Sequence, residues 1–285
     1  EKKKDKKKSR KDKNKAENTT IDDKVSSGNT ALSTTSKRDV IREGIMNQVL
    51  ADYYTQPVVK EKAKTVNTTW PFYTLRKMMG LAHVELHDAV LDGNLAVVKA
   101  TMMRYTKKSP EKINLHDRGG RTALSLSLMA EREDISDIII SVRETDVNKP
   151  DLQTGLCPLH HAVHLKLISS VQKLVYQGAN VDVTDKVGMT PLMLACRLGH
   201  RHMVDVLLDV FGAELDKVDK AGWAGWTCLF YGTFHNEVDI VSKLLERGAD
   251  VEHKDKRGML AVDWGDYMDF GEICHLLEHF QPALS

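Results

Sequence analysis

Residues 185–218 read Asp-Lys-Val-Gly-Met-Thr-Pro-Leu-Met-Leu-Ala-Cys-Arg-Leu-Gly-His-Arg-His-Met-Val-Asp-Val-Leu-Leu-Asp-Val-Phe-Gly-Ala-Glu-Leu-Asp-Lys-Val. This stretch encodes two short helices and the signals that start and stop each. Gly188 supplies a turn that a residue with a Cβ would strain. Thr190 is placed to cap a helix and Pro191 to occupy its first turn. Gly199-His200 breaks that helix, and Met203, Val204, Val206, Leu207 and Leu208 line one face of the next. Gly212 ends it in the position that favours glycine. Asp185, Asp219 and Asp255 each open a turn.

The same punctuation recurs on both sides. Turn glycines stand at 120, 155, 188, 225 and 258, in steps of 35, 33, 37 and 33 residues. Closing glycines stand at 178, 212 and 248, in steps of 34 and 36. Two independent landmarks with one drifting period define a repeat array, in which each unit leans on its neighbours.

The pattern resembles the ankyrin repeat, whose consensus runs roughly D-x-x-G-x-T-P-L-H-x-A-x-x-G-H-x-x-I-V-x-L-L-x-x-G-A-D-V-N. Residues 151–184, 185–218 and 219–254 match best. Residues 117–150 keep Arg121-Thr122-Ala123-Leu124 but lack the closing Gly-Ala-Asp. Residues 86–116 are a divergent first unit, and 255–280 a terminal cap with Asp263 where the motif has His. The resemblance therefore covers six units, about 200 of the 285 residues. It implies an all-α solenoid of helix-turn-helix repeats with β-turn fingers. It also implies a protein-protein interaction module without catalytic activity.

The resemblance assigns groove positions residue by residue. The two residues after the small pair of the inner helix face the concave groove: Leu91-Asp92, Met129-Ala130, His164-Leu165, Arg197-Leu198, Phe234-His235 and Tyr267-Met268. So does the residue after each turn glycine: Arg121, Leu156, Met189, Trp226 and Met259. These sets are more apolar than water-facing positions require, which marks an interaction strip. The competing readings are that some of them pack between repeats, or that the N-terminal helices fold back over the groove. Between Gly212 and Gly225 lie three residues more than between equivalent glycines elsewhere, so one finger is lengthened. It carries Trp223 and Trp226, and insertions in repeat proteins often map to the binding face. Trp is favoured at binding hot spots, so this finger is expected to carry partner affinity. A drifted loop whose Trp turns inward is the equal alternative.

Three domains follow from composition. Residues 1–38 hold almost no large apolar side chains and are expected to be disordered when free. Residues 39–82 carry helical spacing in Val40-Ile41, Ile45-Met46, Val49-Leu50 and Tyr53-Tyr54, stopped by Pro57, and a second helix opening at Thr69. Residues 83–285 form the repeat domain. The formal net charge of +1 hides an asymmetry: residues 1–16 hold ten Lys/Arg and three acids, leaving 31 Lys/Arg against 37 acids elsewhere. Lys2, Lys3, Lys4, Lys6, Lys7, Lys8, Arg10 and Lys11 thus form a basic arm suited to a polyanion, either nucleic acid or an acidic protein surface such as tubulin tails. No aromatic residue interleaves them, so base stacking is not indicated.

Other chemistry finds little footing. His160 and His164 share a helix face, with His161 beside them and His200 and His202 in the next unit, but no Cys or carboxylate completes a tetrahedral set at readable spacing. His160 and His200 fall where ankyrin rings bond the backbone of a neighbouring unit. Cys157, Cys196, Cys228 and Cys274 are spaced as small buried residues of a reducing compartment. No phosphate loop, HExxH or nucleophile elbow is present, so no cofactor and no metal are expected. No apolar run approaches 18 residues, so no membrane span is expected. The expectation is a non-enzymatic scaffold or adaptor in a large cytoskeletal or ciliary assembly, cytoplasmic, with a nuclear factor holding RNA or DNA as the alternative. A chain starting at Glu1 rather than Met is expected to continue upstream, which leaves the non-catalytic portion of a larger enzyme as a third reading.

Overall fold

A computed structural model describes residues 85–220 and 225–280. The expected arm (1–38) and N-terminal helical segment (39–82) lie outside them. Six helix pairs follow one another: α1 (Glu85–Leu91) with α2 (Leu95–Lys108), α3 (Ala123–Met129) with α4 (Glu133–Ser141), and α5 (Pro158–His164) with α6 (Ile168–Tyr176). Then come α7 (Pro191–Arg197) with α8 (Arg201–Asp205, continued by a π-helical turn, Val206–Val210), α9 (Cys228–Phe234) with α10 (Val238–Glu246), and α11 (Ala261–Met268) with α12 (Gly271–His279). A 3-10 turn, Pro110–Asn114, follows α2. The inner helices α1, α3, α5, α7, α9 and α11 stack in sequence, and each packs on the outer helix of its own pair. Among the described residues there is no β-strand, only a single bridge between His116 and Thr122. The solenoid expected from the repeat period is what forms.

The sequence reasons for this are local and repeated. Each inner helix from α3 onward begins on a residue in extended conformation. The Thr122 and Thr190 hydroxyls accept the amides of Ser125 and Met193. Where the threonine is missing, the residue three positions on closes the reciprocal half: the Cys157 amide donates to His160 Nδ1, and the Leu260 amide to Asp263 Oδ2. Asp263 therefore performs one task of the histidine it replaces. Four residues after each buried Leu86, Leu124, Leu159, Leu192 or Leu229 the helix must run close to its neighbours. The preceding position is small every time: Ala89, Ser127, Ala162, Ala195 and Gly232, with Gly265 in the sixth unit. A Cβ on Gly265 would come within 2.8 Å of Cys274 Sγ.

The fingers are closed by backbone pairs. The amide of each finger aspartate donates across the turn, from Asp117 to Arg121 O (2.8 Å), Asp151 to Leu156 O (2.9 Å), Asp185 to Met189 O (3.1 Å) and Asp255 to Met259 O (2.9 Å). In the fifth finger the pair is Asp219 to Trp226 O (3.1 Å), so the three extra residues sit inside the turn itself. At Gly188 φ is +83°, and an added Cβ would lie 2.6 Å from the Lys220 amide of the next finger. The glycine is required both by its own dihedral and by the stacking of fingers.

One feature was not legible in the landmarks. Lys166 to Gly178 and Asn236 to Gly248 span twelve residues, but Gly199 to Gly212 spans thirteen. The extra residue is absorbed inside α8 as the π-helical turn, with Phe211 N–H donating to Val206 O. A single inserted residue in a helix produces this wider turn. It leaves Val210 58% exposed and sets Phe211 edge-on to Tyr176.

Candidate partner-binding surface

The surface is built from the fingers and the C-terminal ends of the inner helices. Leu156, His164, Leu165, Leu198, His235, Met259 and Met268 are half-buried, and Tyr267 is exposed. These residues come from repeats 3 to 6, and they form the part of the expected groove that reaches solvent. Trp223 and the arm residues Lys2, Lys3, Lys4, Lys6, Lys7, Lys8, Arg10 and Lys11 lie outside the described residues.

Four expected groove residues are corrected. Met189, Arg197, Trp226 and Phe234 are buried by the stack itself. The Trp226 ring stacks on Phe230 (5.9 Å between centroids) and meets Tyr231, Phe234 and Trp264 at 5.4, 5.2 and 5.4 Å. Its indole N–H points to Asp255 Oδ2 at 3.4 Å. The side chain most apt to anchor a partner instead joins repeat 5 to repeat 6. The reason is that Phe230, Phe234 and Trp264 offer an apolar recess that an aromatic ring fills at less cost than standing in water.

Beneath the fingers runs a line of aspartates, half-buried at Asp117 and buried at the other four, and most of them have two tasks. One oxygen caps the finger: Asp117, Asp185, Asp219 and Asp255 accept the amides of Arg121, Met189, Trp226 and Met259. The other oxygen reaches a side chain. Asp151 meets His161 Nε2 at 2.7 Å, Asp219 accepts the Tyr231 hydroxyl at 2.7 Å, and Asp255 accepts the Trp264 indole at 3.0 Å. Two members depart from the series: Asp185 Oδ2 and Asp151 Oδ1 are both buried without a hydrogen bond, so Asp185 only caps its finger and Asp151 only meets its histidine. Burial pushes the Asp185 carboxyl up to about 6, against the capping amides and the nearby Arg197. At Asp255, burial is outweighed by the Met259 amide and the two indoles, and the carboxyl falls below its usual range. Burial first, and then Asp219, raises the Tyr231 phenol.

The histidines are engaged as the resemblance implies. His160 Nε2 bonds Met189 O of the following finger at 3.0 Å, and His200 Nδ1 bonds Val163 O of the preceding repeat at 3.1 Å. His87 repeats the first contact with Arg121 O. Burial lowers His160 to about 4, which keeps the ring neutral in this role. All four cysteines are buried and free. Among the described residues no group of three His, Cys, Asp or Glu converges to hold a metal ion. No described helix is long and apolar enough to cross a membrane.

Sequence reasoning missed the finger tips. The residue after each finger aspartate is Arg118, Leu152, Lys186, Lys220 or Lys256, and all five are exposed. Their recurrence at the repeat period was the available signal.

These elements define a helical-repeat solenoid with a finger-edged concave face. A family profile described as Ankyrin repeats (3 copies) matches residues 86–185 and 159–255, and the chain belongs to that family. It is 30% identical over 189 residues to the Ankyrin repeat protein nuc-2 of Neurospora crassa, which is 65% of this chain and 17% of that protein. It is 32% identical over 120 residues to the Probable 26S proteasome regulatory subunit p28 of Saccharomyces cerevisiae, 40% of this chain and 51% of that one. A crystal structure of an ankyrin repeat domain from Acinetobacter baumannii superposes with a TM-score of 0.60 at 25% identity, over 68% of this chain and 95% of that one. The chain thus spans at most about half the length of these two curated relatives. Ankyrin repeats are generally non-catalytic modules that bind protein partners, and a protein-protein interaction role follows for this chain.

Proposed function

We propose that the chain is a non-enzymatic scaffold with two attachment points. The concave face of repeats 3 to 6 takes a protein partner. The basic arm holds an anionic protein surface, of the kind tubulin tails offer in a cytoplasmic cytoskeletal or ciliary assembly. The observation that carries the first part is the strip formed by Leu156, Leu165, Leu198, Met259 and Met268, which the stack leaves half-exposed, ending at exposed Tyr267. An apolar strip with a polar rim favours association through burial at its centre. The second part is supported by charge: residues 1–16 carry ten cations on a chain whose remainder is acidic. Deleting residues 1–16 is expected to abolish binding to tubulin and to leave the circular dichroism of the repeats unchanged. Binding before deletion should fall steeply between 50 and 200 mM salt, because up to ten cationic groups contribute (the span is about the range over which such contacts are lost). Retained affinity after deletion would move the anionic contact elsewhere. Preference for a single-stranded oligonucleotide over tubulin would replace the cytoskeletal reading with a nucleic-acid one.

A further inference from the structure

The exposed finger-tip residues form a single row. Leu152 N–H donates to Gly120 O at 2.8 Å, Lys186 N–H to Thr154 O at 3.3 Å, and Lys220 N–H to Val187 O at 2.7 Å. Each tip is thereby tied to the one before it, and the residue that follows the aspartate is the one making the tie. Arg118 and Lys256 occupy the same position in the flanking fingers, and the Lys256 backbone passes beside Gly225. Four of the five positions are cationic, and the fifth is Leu152, an apolar side chain 60% exposed.

The neighbouring aspartates do not neutralise this row. Asp117 is engaged by Arg121, Asp151 by His161, and Asp219 by the Gly225 and Trp226 amides and the Tyr231 hydroxyl. Asp185 and Asp255 are engaged by the amides of their own fingers, and Asp255 also by two indoles. Among the described residues, Arg118, Lys220 and Lys256 enter none of the ion pairs. Lys186 Nζ bonds Leu152 O, a neutral partner, and retains its charge. Carboxylates are thus drawn inside the turns while cations stand at the tips. A row of one sign attracts an opposite charge from solution and sets its register.

We propose that the finger tips bind an acidic, extended protein segment that lays carboxylates along Arg118, Lys186, Lys220 and Lys256 and an apolar side chain on Leu152. This rests on the reading that the stack takes a protein partner, and it names that partner's chemistry. A linear chain fits because the tips are ordered one per repeat along a line set by backbone bonds. Nucleic acid fits less well: the row is interrupted by an exposed leucine, and no described tip residue is an aromatic on which a base could stack. Single exposed ion pairs contribute little, so affinity requires several tips at once.

The test uses the full chain and a fluorescein-labelled 15-residue peptide of glutamates with one central leucine. Anisotropy titrations in 0.1 M salt compare the wild type with Lys186→Glu/Lys220→Glu/Lys256→Glu and with the milder Lys186→Gln/Lys220→Gln/Lys256→Gln. A third variant carries glutamine at Lys2, Lys3, Lys4, Lys6, Lys7 and Lys8. Charge reversal is expected to weaken binding by at least about tenfold, and neutralisation to weaken it less but in the same direction. Leu152→Ser should weaken binding of the leucine peptide and not of its all-glutamate counterpart. If the reversed variant fails to fold, the glutamine variant decides. Affinity within twofold of wild type for both finger variants, with loss confined to the arm variant, overturns the proposal. So does an oligothymidylate that binds the same lysines tenfold more tightly than the peptide. Finger variants that still hold a groove partner which is lost on mutation of Leu165 and Leu198 would sink the finger proposal and leave the scaffold reading standing.

Discussion

Replacing Trp226 with alanine separates a binding finger from a structural one. Trp226 is 6% exposed, and its ring lies within 6 Å of Phe230, Tyr231, Phe234 and Trp264. Truncating a buried tryptophan costs about 3–5 kcal/mol through lost transfer energy and the cavity left behind. The polar part adds little, because Asp255 Oδ2 keeps the Trp264 indole at 3.0 Å and is not orphaned. About 4 kcal/mol is therefore expected, and Trp226→Phe, which keeps a ring in the recess, should cost about 1–2 kcal/mol by comparison with milder core truncations. Urea denaturation followed by circular dichroism reads the total. Amide hydrogen exchange across residues 226–280 locates it, since a repeat array transmits damage mainly to the adjoining interface. An alanine variant with the wild-type midpoint and unchanged exchange in α9 and α11 would show that the ring does not hold repeats 5 and 6 together, and the inward placement would have to be abandoned.

The remaining stability predictions concern the middle of the stack. Leu192 and Leu207 are fully buried, and Leu192→Ala or Leu207→Ala should each cost ~2–5 kcal/mol; an unshifted urea midpoint would contradict the core placement. Asp185 has a folded carboxyl raised to about 6, above its unfolded value of about 3.9. The folded state therefore binds the extra proton, and this group's contribution falls as pH rises from about 4 to about 6. Asp185→Asn should remove that fall, giving on the order of 1–3 kcal/mol at pH 7 relative to pH 4 when compared with wild type. His160, lowered to about 4, acts in the opposite sense, its contribution present above about pH 6.5 and lost as pH falls. Parallel pH profiles of wild type and Asp185→Asn would refute the Asp185 assignment.

The backbone plan was legible because its causes are local. Glycines at the turns, a threonine or its reciprocal partner at the start of α3, α5, α7 and α11, and a small residue one turn further on are all visible in single repeats. The count of residues between Gly212 and Gly225 even located the lengthened finger correctly. What that finger's side chain does was not legible, because it depends on a neighbour. Trp226 turns inward only because Trp264, 38 positions along, lines the recess it enters. Arg197 and Met189 are buried for the same kind of reason: a groove position faces water only when the adjoining repeat leaves it uncovered. The π-helical turn in α8 was missed because one residue in a 34-residue spacing falls within the drift of the period. The cationic finger tips were missed because attention to apolar strips passes over a column of lysines.

The claim at the centre is that partners meet the concave face and its fingers. A photo-reactive amino acid in place of Leu165 or Leu198, both half-buried on the concave side, tests it against the same residue in place of Tyr176 or Val210, which are 78% and 58% exposed at the ends of outer helices. The full-length variants would be irradiated with their bound partner, and the adducts identified by mass spectrometry. The account predicts one shared partner adduct from positions 165 and 198 and none from 176 and 210. Adducts from 176 and 210 alone would place the binding face on the outer helices and contradict it.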